Sequence, residues 1–342
     1  DPARLAGLAE EVLDADLACR TVEDRERMLR YYFAEEAGSL EKFPDRVKRI
    51  VRGADGRATG STVFADGFSA LADGLASGVL IRGGDVWFAN IPHLWRLRDR
   101  DGDGVAEERV SLHHGYGVRV GFLGHDLHGL AFGPDGRLYF SIGDRGASVL
   151  TREGTRIETP DTGAVFRCEP DGSGLELFAT GLRNPQELVF DAWGNLWTGD
   201  NNSDGGDQAR WTYLVEGGDS GWHIGWQFIE SPNARGPWNA EGMWRPAEAA
   251  KIAHLVPPLA NIGAGPSGVT YAAGTGLPEG HNGHFFMVDF RGGPSGIWEI
   301  AVRPKGAGYE VSRSEQLIWE ALPTDVELGP DGGLYWSDWV QG

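Results

Sequence analysis

Two hydrophobic periodicities divide the chain. Over residues 3–35 apolar positions recur at helical spacing, at Leu5, Leu8, Ala9, Val12 and Leu13 and again from Arg25 to Tyr32, with acidic and basic residues between them. This pattern predicts two short helices that form an appendage. From Asp45 onward short alternating apolar runs are broken by Gly, Asp, Asn and Pro, the signature of strands joined by tight turns. The expected division is a helical appendage over 1–44 and a β domain over 45–342.

An internal repeat organises the β domain. Gly-Pro-Asp-Gly followed by a strand occurs at Gly133–Gly136 and Gly329–Gly332, with a degenerate copy, Asp191-Ala-Trp-Gly194. Proline fixes φ at the second turn position and glycine tolerates the exit geometry, so each copy makes a hairpin between two inner strands. The copies at 133 and 190 lie roughly 57 residues apart, which suits one four-stranded propeller blade with its loops. On that frame blades fall near 77–114, 127–181, 186–228 and 254–320. Val47–Val51 with Ser61–Gly67 supply outer strands, and Thr324–Trp339 inner ones. Either these halves close a single blade, making five, or each is the remnant of a separate blade, making six. The chain stops just after the strand-like Trp339-Val340, which reads as a cut from a longer parent.

Composition agrees with an all-β protein: Gly 52, Trp 13 and Phe 15 in 342 residues. The net charge of −19 repels phosphate backbones and anionic membrane surfaces, so nucleic acid is not an expected partner. No apolar run has the length of a membrane span, and direct membrane insertion is not expected. Cys19 and Cys168 are too few for a disulfide framework or a zinc site.

Candidate chemistry gathers where loops enter the inner strands. His125 and His128 precede one such strand, and an imidazole titrating near neutrality suits a general base; a loop hydrogen bond is the alternative role. Asp126 lies between them. Asp144-Arg145-Gly146 ends the second strand of that blade, and Arg183, Asn184 and Gln186 open the next. Arginines converging from several blades, with Arg119 and Arg291 added, suit an anionic ligand through bidentate pairing, against the alternative of ordinary ion pairs. Asn201, Asn202, Ser203 and Asp207 in a Gly-rich loop offer oxygens to a hard cation, or simply make turns. Asp99, Asp101 and Asp103 alternate with Gly104 at the sixth position of a calcium-type loop, but Val110 stands where a helical EF-hand has its last acid. A structural calcium hairpin or a solvated turn fits that text. Trp222, Trp226 and Tyr116 can stack on sugar rings, although blade core is the commoner role of such residues.

These residues resemble the soluble quinoprotein glucose/sorbosone and aldose sugar dehydrogenases, which bind pyrroloquinoline quinone (PQQ) on a six-bladed propeller. The likeness rests on His125 before Leu130, on Gly-Pro-Asp-Gly-Arg-Leu-Tyr with Ile142-Gly-Asp-Arg-Gly146, and on Arg183-Asn-Pro-Gln186, and it covers roughly residues 45–342. Gly117–His128, Val215–Trp222 and Asp289–Gly292 are similar to the membrane-bound-dehydrogenase-type propeller domain of planctomycete and verrucomicrobial proteins. That domain is often followed by helical repeats and a c-type haem module. The resemblance implies that His125 takes the substrate hydroxyl proton while hydride passes to the quinone. It implies that Arg183 and Asn184 contact the cofactor with Gln186 in support, and that calcium is held at Asn201, Asn202 and Ser203. It further implies a sugar or polyol substrate, a c-type haem acceptor, and a periplasmic or extracellular location. At the calcium loop the chain departs from the family, with Asn202-Ser203 replacing a Gly-Pro pair. Two other readings share the scaffold: a propeller that binds a ligand or protein without catalysis, and a calcium-dependent propeller lactonase or hydrolase.

Overall fold

A computed structural model describes residues 2–121, 124–246, 255–274 and 276–339, with the side chains of 2–6 and 35 excepted. The Leu5 side chain, Val340, the middle of the Gly117–His128 phrase and the start of the blade expected at 254 therefore lie outside the described residues. Helices α1 (Pro2–Ala18) and α2 (Val22–Ala37) precede a chain of strands beginning at Asp45. A capping box starts α2. Thr21 Oγ1 accepts from Asp24 N at 3.2 Å, and the Asp24 carboxylate accepts from Thr21 N at 3.0 Å. Met28 and Leu29 of α2 pack with Cys19 against Leu71 of the β domain.

Four sheets form the body of a β-propeller. The first comprises Gly78–Arg82, Asp85–Asn90, His93–Arg98 and Glu108–His114, all antiparallel neighbours. The second holds Leu127–Phe132, Leu138–Ile142, Gly163–Cys168 and Glu176–Leu182. The third holds Val189–Phe190, Leu196–Asp200 and Arg210–Leu214, and the fourth Pro266–Tyr271, His284–Asp289, Gly296–Lys305 and Gly308–Trp319. First strands of neighbouring sheets touch one another, Gly78–Arg82 with Leu127–Phe132 and Val189–Phe190 with Pro266–Tyr271, which puts them at the centre.

The edge of the third blade corrects the sequence boundaries. Its fourth strand is Ala260–Asn261, from the far side of a long excursion, while Gly218–Asp219 joins the second sheet in parallel pairing with Glu176–Leu182. Gly217, at φ 74°, turns the chain at that point and its N–H donates to Phe178 O, so the segment crosses to the preceding blade. Among the described residues the chain's two ends remain separate two-stranded sheets, Asp45–Arg52 with Ala58–Phe68 and Pro323–Leu328 with Leu334–Asp338. The first packs Phe64 and Phe68 on blade one, and the second packs Val326 and Leu334 on blade four.

The Gly-Pro-Asp-Gly turns join first to second strands as expected. In each, the glycine N–H closes the turn, Gly136 to Gly133 O and Gly332 to Gly329 O, with φ of 82° and 78°. Aromatic layers between blades supply the core. Phe140 and Phe166 stack between blades one and two, and Trp197 and Trp211 lie 5.9 Å apart at 11° between blades three and four. Fully burying each such side chain stabilises the fold by roughly 1.5–3 kcal/mol. This packing makes the inner rim a rigid frame for the loops that enter it.

Candidate active site

Antiparallel pairing brings the end of each second strand to the rim where the chain enters the first. An acid or amide stands there in each of these sheets, buried in the four blades and exposed in the C-terminal pair of strands. Asp200 accepts the backbone N–H groups of Arg183 and Asn184 at 3.0 and 2.7 Å. Asp289 accepts those of Ala264 and Gly265, both at 2.9 Å. Asp338 accepts from Leu322 N at 2.9 Å, and Asn90 Nδ2 donates to Gly74 O at 3.0 Å. Each clip ties a second strand to the loop feeding its own first strand.

Blade two breaks this rule. Asp144, fully buried, receives side chains: His125 Nδ1 at 2.7 Å and Trp222 Nε1 at 2.8 Å. Burial alone raises the Asp144 pKa, but His125, Arg183 and the Trp222 bond outweigh it and hold the carboxyl below its ordinary value. The Nδ1 contact fixes the ring's orientation, and in its neutral form an Nδ1–H given to the carboxylate leaves the lone pair on Nε2. Gly143 is what lets the imidazole approach: a Cβ there would meet His125 Cβ and Asn184 Oδ1, both at 2.8 Å.

Arg183 stands beside this pair. Its backbone O accepts from Asp144 N at 2.7 Å, and its guanidinium carbon lies 5.9 Å from the Trp222 ring centroid. Nε donates to Gln227 Oε1 at 3.2 Å, Nη2 to Asp204 Oδ2 at 3.0 Å, and Nη1 to Asn202 O. Asn184 Oδ1 accepts from His128 Nε2 at 3.1 Å, and Gln186 Nε2 donates to Gly124 O at 3.3 Å. One rim thus gathers a carboxylate-oriented imidazole, a buried guanidinium and an indole between them.

The other expected site residues have partners inside the fold. His128 is buried, and burial pushes its pKa down to about 4, so the ring is neutral and clasps the Arg183–Asn184 loop. Asp126, also buried, pairs with Arg145, whose Nε donates to Arg119 O at 3.0 Å. Arg119 donates to Asp161 Oδ1 at 2.6 Å and Leu17 O at 2.9 Å, so it ties α1 to the propeller. Arg291 pairs with Asp289 at 3.1 Å in blade four. Trp222 is fully buried, as core stacking predicts. Sequence reasoning missed Asp200, Arg210, Gln227 and Asp204. The repeated Gly-Asp at the ends of second strands, 143–144 and 199–200, was the available signal.

The two expected cation sites differ. In the 201–207 loop, Asp207 accepts Ser203 N, Ser203 Oγ and Trp238 Nε1, while guanidinium groups of Arg183 and Arg235 donate to Asn202 O and Ser203 O. Asn201 Oδ1 is buried without a hydrogen-bond partner. A calcium ion there would face two guanidinium groups, so this donor set does not fit one. At the blade-one hairpin the carboxylates of Asp99, Asp101, Asp103 and Glu107 offer oxygens within 4.8 Å of one another, a set that suits a hard cation.

Sheet order and inner-strand contacts define a β-propeller, a fold also found in sugar dehydrogenases. A crystal structure of a glucose dehydrogenase is similar at TM-score 0.62 with 18% identity, covering 86% of this chain and 87% of that one. The PQQ-bound aldose sugar dehydrogenase of Streptomyces coelicolor is similar at 0.50 and 19%, covering 85% and 81%. The PQQ domain of Coprinopsis cinerea pyranose dehydrogenase, in its holo form, is similar at 0.55 and 12%, covering 85% of each. No curated protein matches the sequence. The chain belongs to the family described as a domain of unknown function (DUF7133), which matches residues 27–342. Among the described residues no helix is long and apolar enough to cross a membrane.

Proposed function

We propose that the protein oxidises a hydroxyl of a sugar or polyol with PQQ as cofactor. What carries this reading is His125, held through Nδ1 by Asp144 with Trp222 on the same carboxylate, beside the buried guanidinium of Arg183. Propeller dehydrogenases of similar fold, two of them with PQQ, support it. An orienting carboxylate stabilises the imidazolium that forms when Nε2 takes the hydroxyl proton. Arg183 and Asn184 would hold the cofactor, whose carboxylates match a guanidinium, and Gln186 steadies the loop through Gly124. When bound, the quinone supplies the acceptor for the hydride equivalent. Trp222, fully buried on the other oxygen of the Asp144 carboxylate, shields that carboxylate from water.

Calcium enters this reading at the Asp99–Glu107 hairpin as a structural ion. Reoxidation by a c-type haem protein, and a periplasmic or extracellular location, belong to the same proposal. The test is reconstitution with PQQ followed by dye-linked oxidation across a panel of sugars and polyols. Expected are saturable quinone binding and turnover, with turnover lost in His125→Ala and cofactor affinity reduced in Arg183→Ala. Absence of quinone binding by the folded protein overturns the reading and leaves a non-catalytic binding propeller or a propeller hydrolase.

A further inference from the structure

The ion pair between Arg183 and Asp204 is lopsided. The Arg183 side chain is 3% exposed and the Asp204 side chain 66%, with Nη2 and Oδ2 at 3.0 Å. A guanidinium removed from water needs its counter-charge, whereas a carboxylate still in water does not. Arg145 and Arg210 pair with Asp126 and Asp200, both fully buried, and those carboxylates cannot leave without stranding a charge. Asp204 can leave. Its backbone sits at φ 57°, a left-handed conformation that costs a non-glycine residue energy, and Gly205 and Gly206 follow it.

We propose that Asp204 is a placeholder carboxylate, neutralising Arg183 until the carboxylate of an anionic ligand replaces it. This rests on the reading of Arg183 as a ligand-binding residue and deepens it. Exchange of one carboxylate for another conserves the charge-assisted bonds, so a ligand with a single carboxylate gains little from the exchange. A polycarboxylate gains from its remaining anionic groups in the rim's field. Asp204 therefore lowers affinity for anions in general and makes the site select multiply charged ones.

The experiment titrates wild type, Asp204→Asn and Arg183→Ala with two probes, PQQ followed by absorbance and citrate followed by calorimetry. Asparagine tolerates the left-handed backbone, so the loop is kept while the charge is removed. Asp204→Asn is expected to bind both probes about three- to tenfold more tightly than wild type, the range set by releasing one half-exposed ion pair. Arg183→Ala is expected to bind both more weakly than wild type. Equal or weaker binding by Asp204→Asn overturns the placeholder role, and PQQ binding by wild type then leaves the dehydrogenase reading intact. Tighter citrate binding by Asp204→Asn, with PQQ bound by no protein, upholds the placeholder and removes the quinone. Failure of all proteins to bind either probe overturns both.

Discussion

Blades two and three carry the same Gly-Asp at the end of their second strands and use it differently. In blade three the Asp200 carboxylate closes the Arg183–Asn184 loop through backbone N–H groups, with Arg210 as its counter-ion. In blade two the corresponding Asp144 turns to His125 and Trp222. The clipping role does not vanish from blade two. The loop there is held by the Asp126–Arg145 pair, by Gly143 N on Asp126 O at 3.3 Å and by Gln186 on Gly124 O. A carboxylate freed from fastening its own loop becomes available to orient a side chain, and the imidazole so oriented is the base of the proposed reaction.

The sharpest way to break this comparison is to neutralise each acid in turn. Asp144→Asn keeps the shape but offers His125 Nδ1 an amide, which no longer stabilises an imidazolium. On the proposed reaction, turnover should fall about 10³–10⁴-fold, roughly 4–5.5 kcal/mol in the barrier. Quinone affinity should change little, because Arg183 is untouched. An equal loss of binding and turnover would place Asp144 with the clips after all. Asp200→Asn should do the reverse. It leaves Arg210 buried without its counter-ion and costs about 3–4 kcal/mol of stability by urea melts, and turnover per folded molecule falls only as far as Arg183 is displaced.

The strand-and-turn text made the propeller legible, because Gly-Pro-Asp-Gly and alternating apolar runs are local features. Blade three's outer edge was not legible: Ala260–Asn261 and Gly218–Asp219 are two-residue strands whose pairing is chosen by distant partners. The site shows the same limit. His125 was visible as a histidine before an inner strand, and Asp144 as a strand end, but their bond spans nineteen residues and exists only through sheet pairing. Arg119, Arg145 and Arg291 have the chemistry of anion binders. In the fold they pair with Asp161, Asp126 and Asp289, and composition cannot say which carboxylate meets which guanidinium.

A smaller effect belongs to His128. His128 has a pKa of about 4 in the fold against 6.5 ordinarily, because burial disfavours its charged form. The unfolded chain takes up the proton first as pH falls, so stability present above pH 6.5 is lost progressively down to pH 4. The slope reaches at most about 1.4 kcal/mol per pH unit, which amounts to roughly 2 kcal/mol by pH 5. The contribution of Asp144, whose pKa is depressed, is lost at lower pH, below the ordinary carboxyl range. His128→Gln, retaining a donor toward Asn184, should flatten the difference between melts at pH 7 and pH 5. An unchanged difference would mean that His128 is not the neutral clasp described.

The mildest test concerns acids that face water rather than the core. Asp99, Asp101, Asp103 and Glu107 are held by backbone N–H groups of their own turn, Gly102 and Gly104 on Asp99 among them at 2.7 and 2.9 Å. Unlike the buried clips, these four carboxylates lie close enough to repel one another. A divalent cation removes that repulsion. The hairpin leads into Ala106, whose N–H donates to Phe64 O at 2.8 Å, so order gained there reaches the junction between the N-terminal ribbon and blade one. At ten times its dissociation constant, calcium should stabilise the protein by about 1.4 kcal/mol. Magnesium, which demands a tighter octahedron, should do less. Asp103→Asn should reduce the calcium-dependent shift in melting temperature while leaving the melt in chelator unchanged or slightly raised, since one repelling charge is gone. A wild-type melt indifferent to calcium would make the hairpin a solvated turn, and its carboxylates would then differ from Asp144 and Asp200 in having neither a loop to fasten nor a histidine to orient.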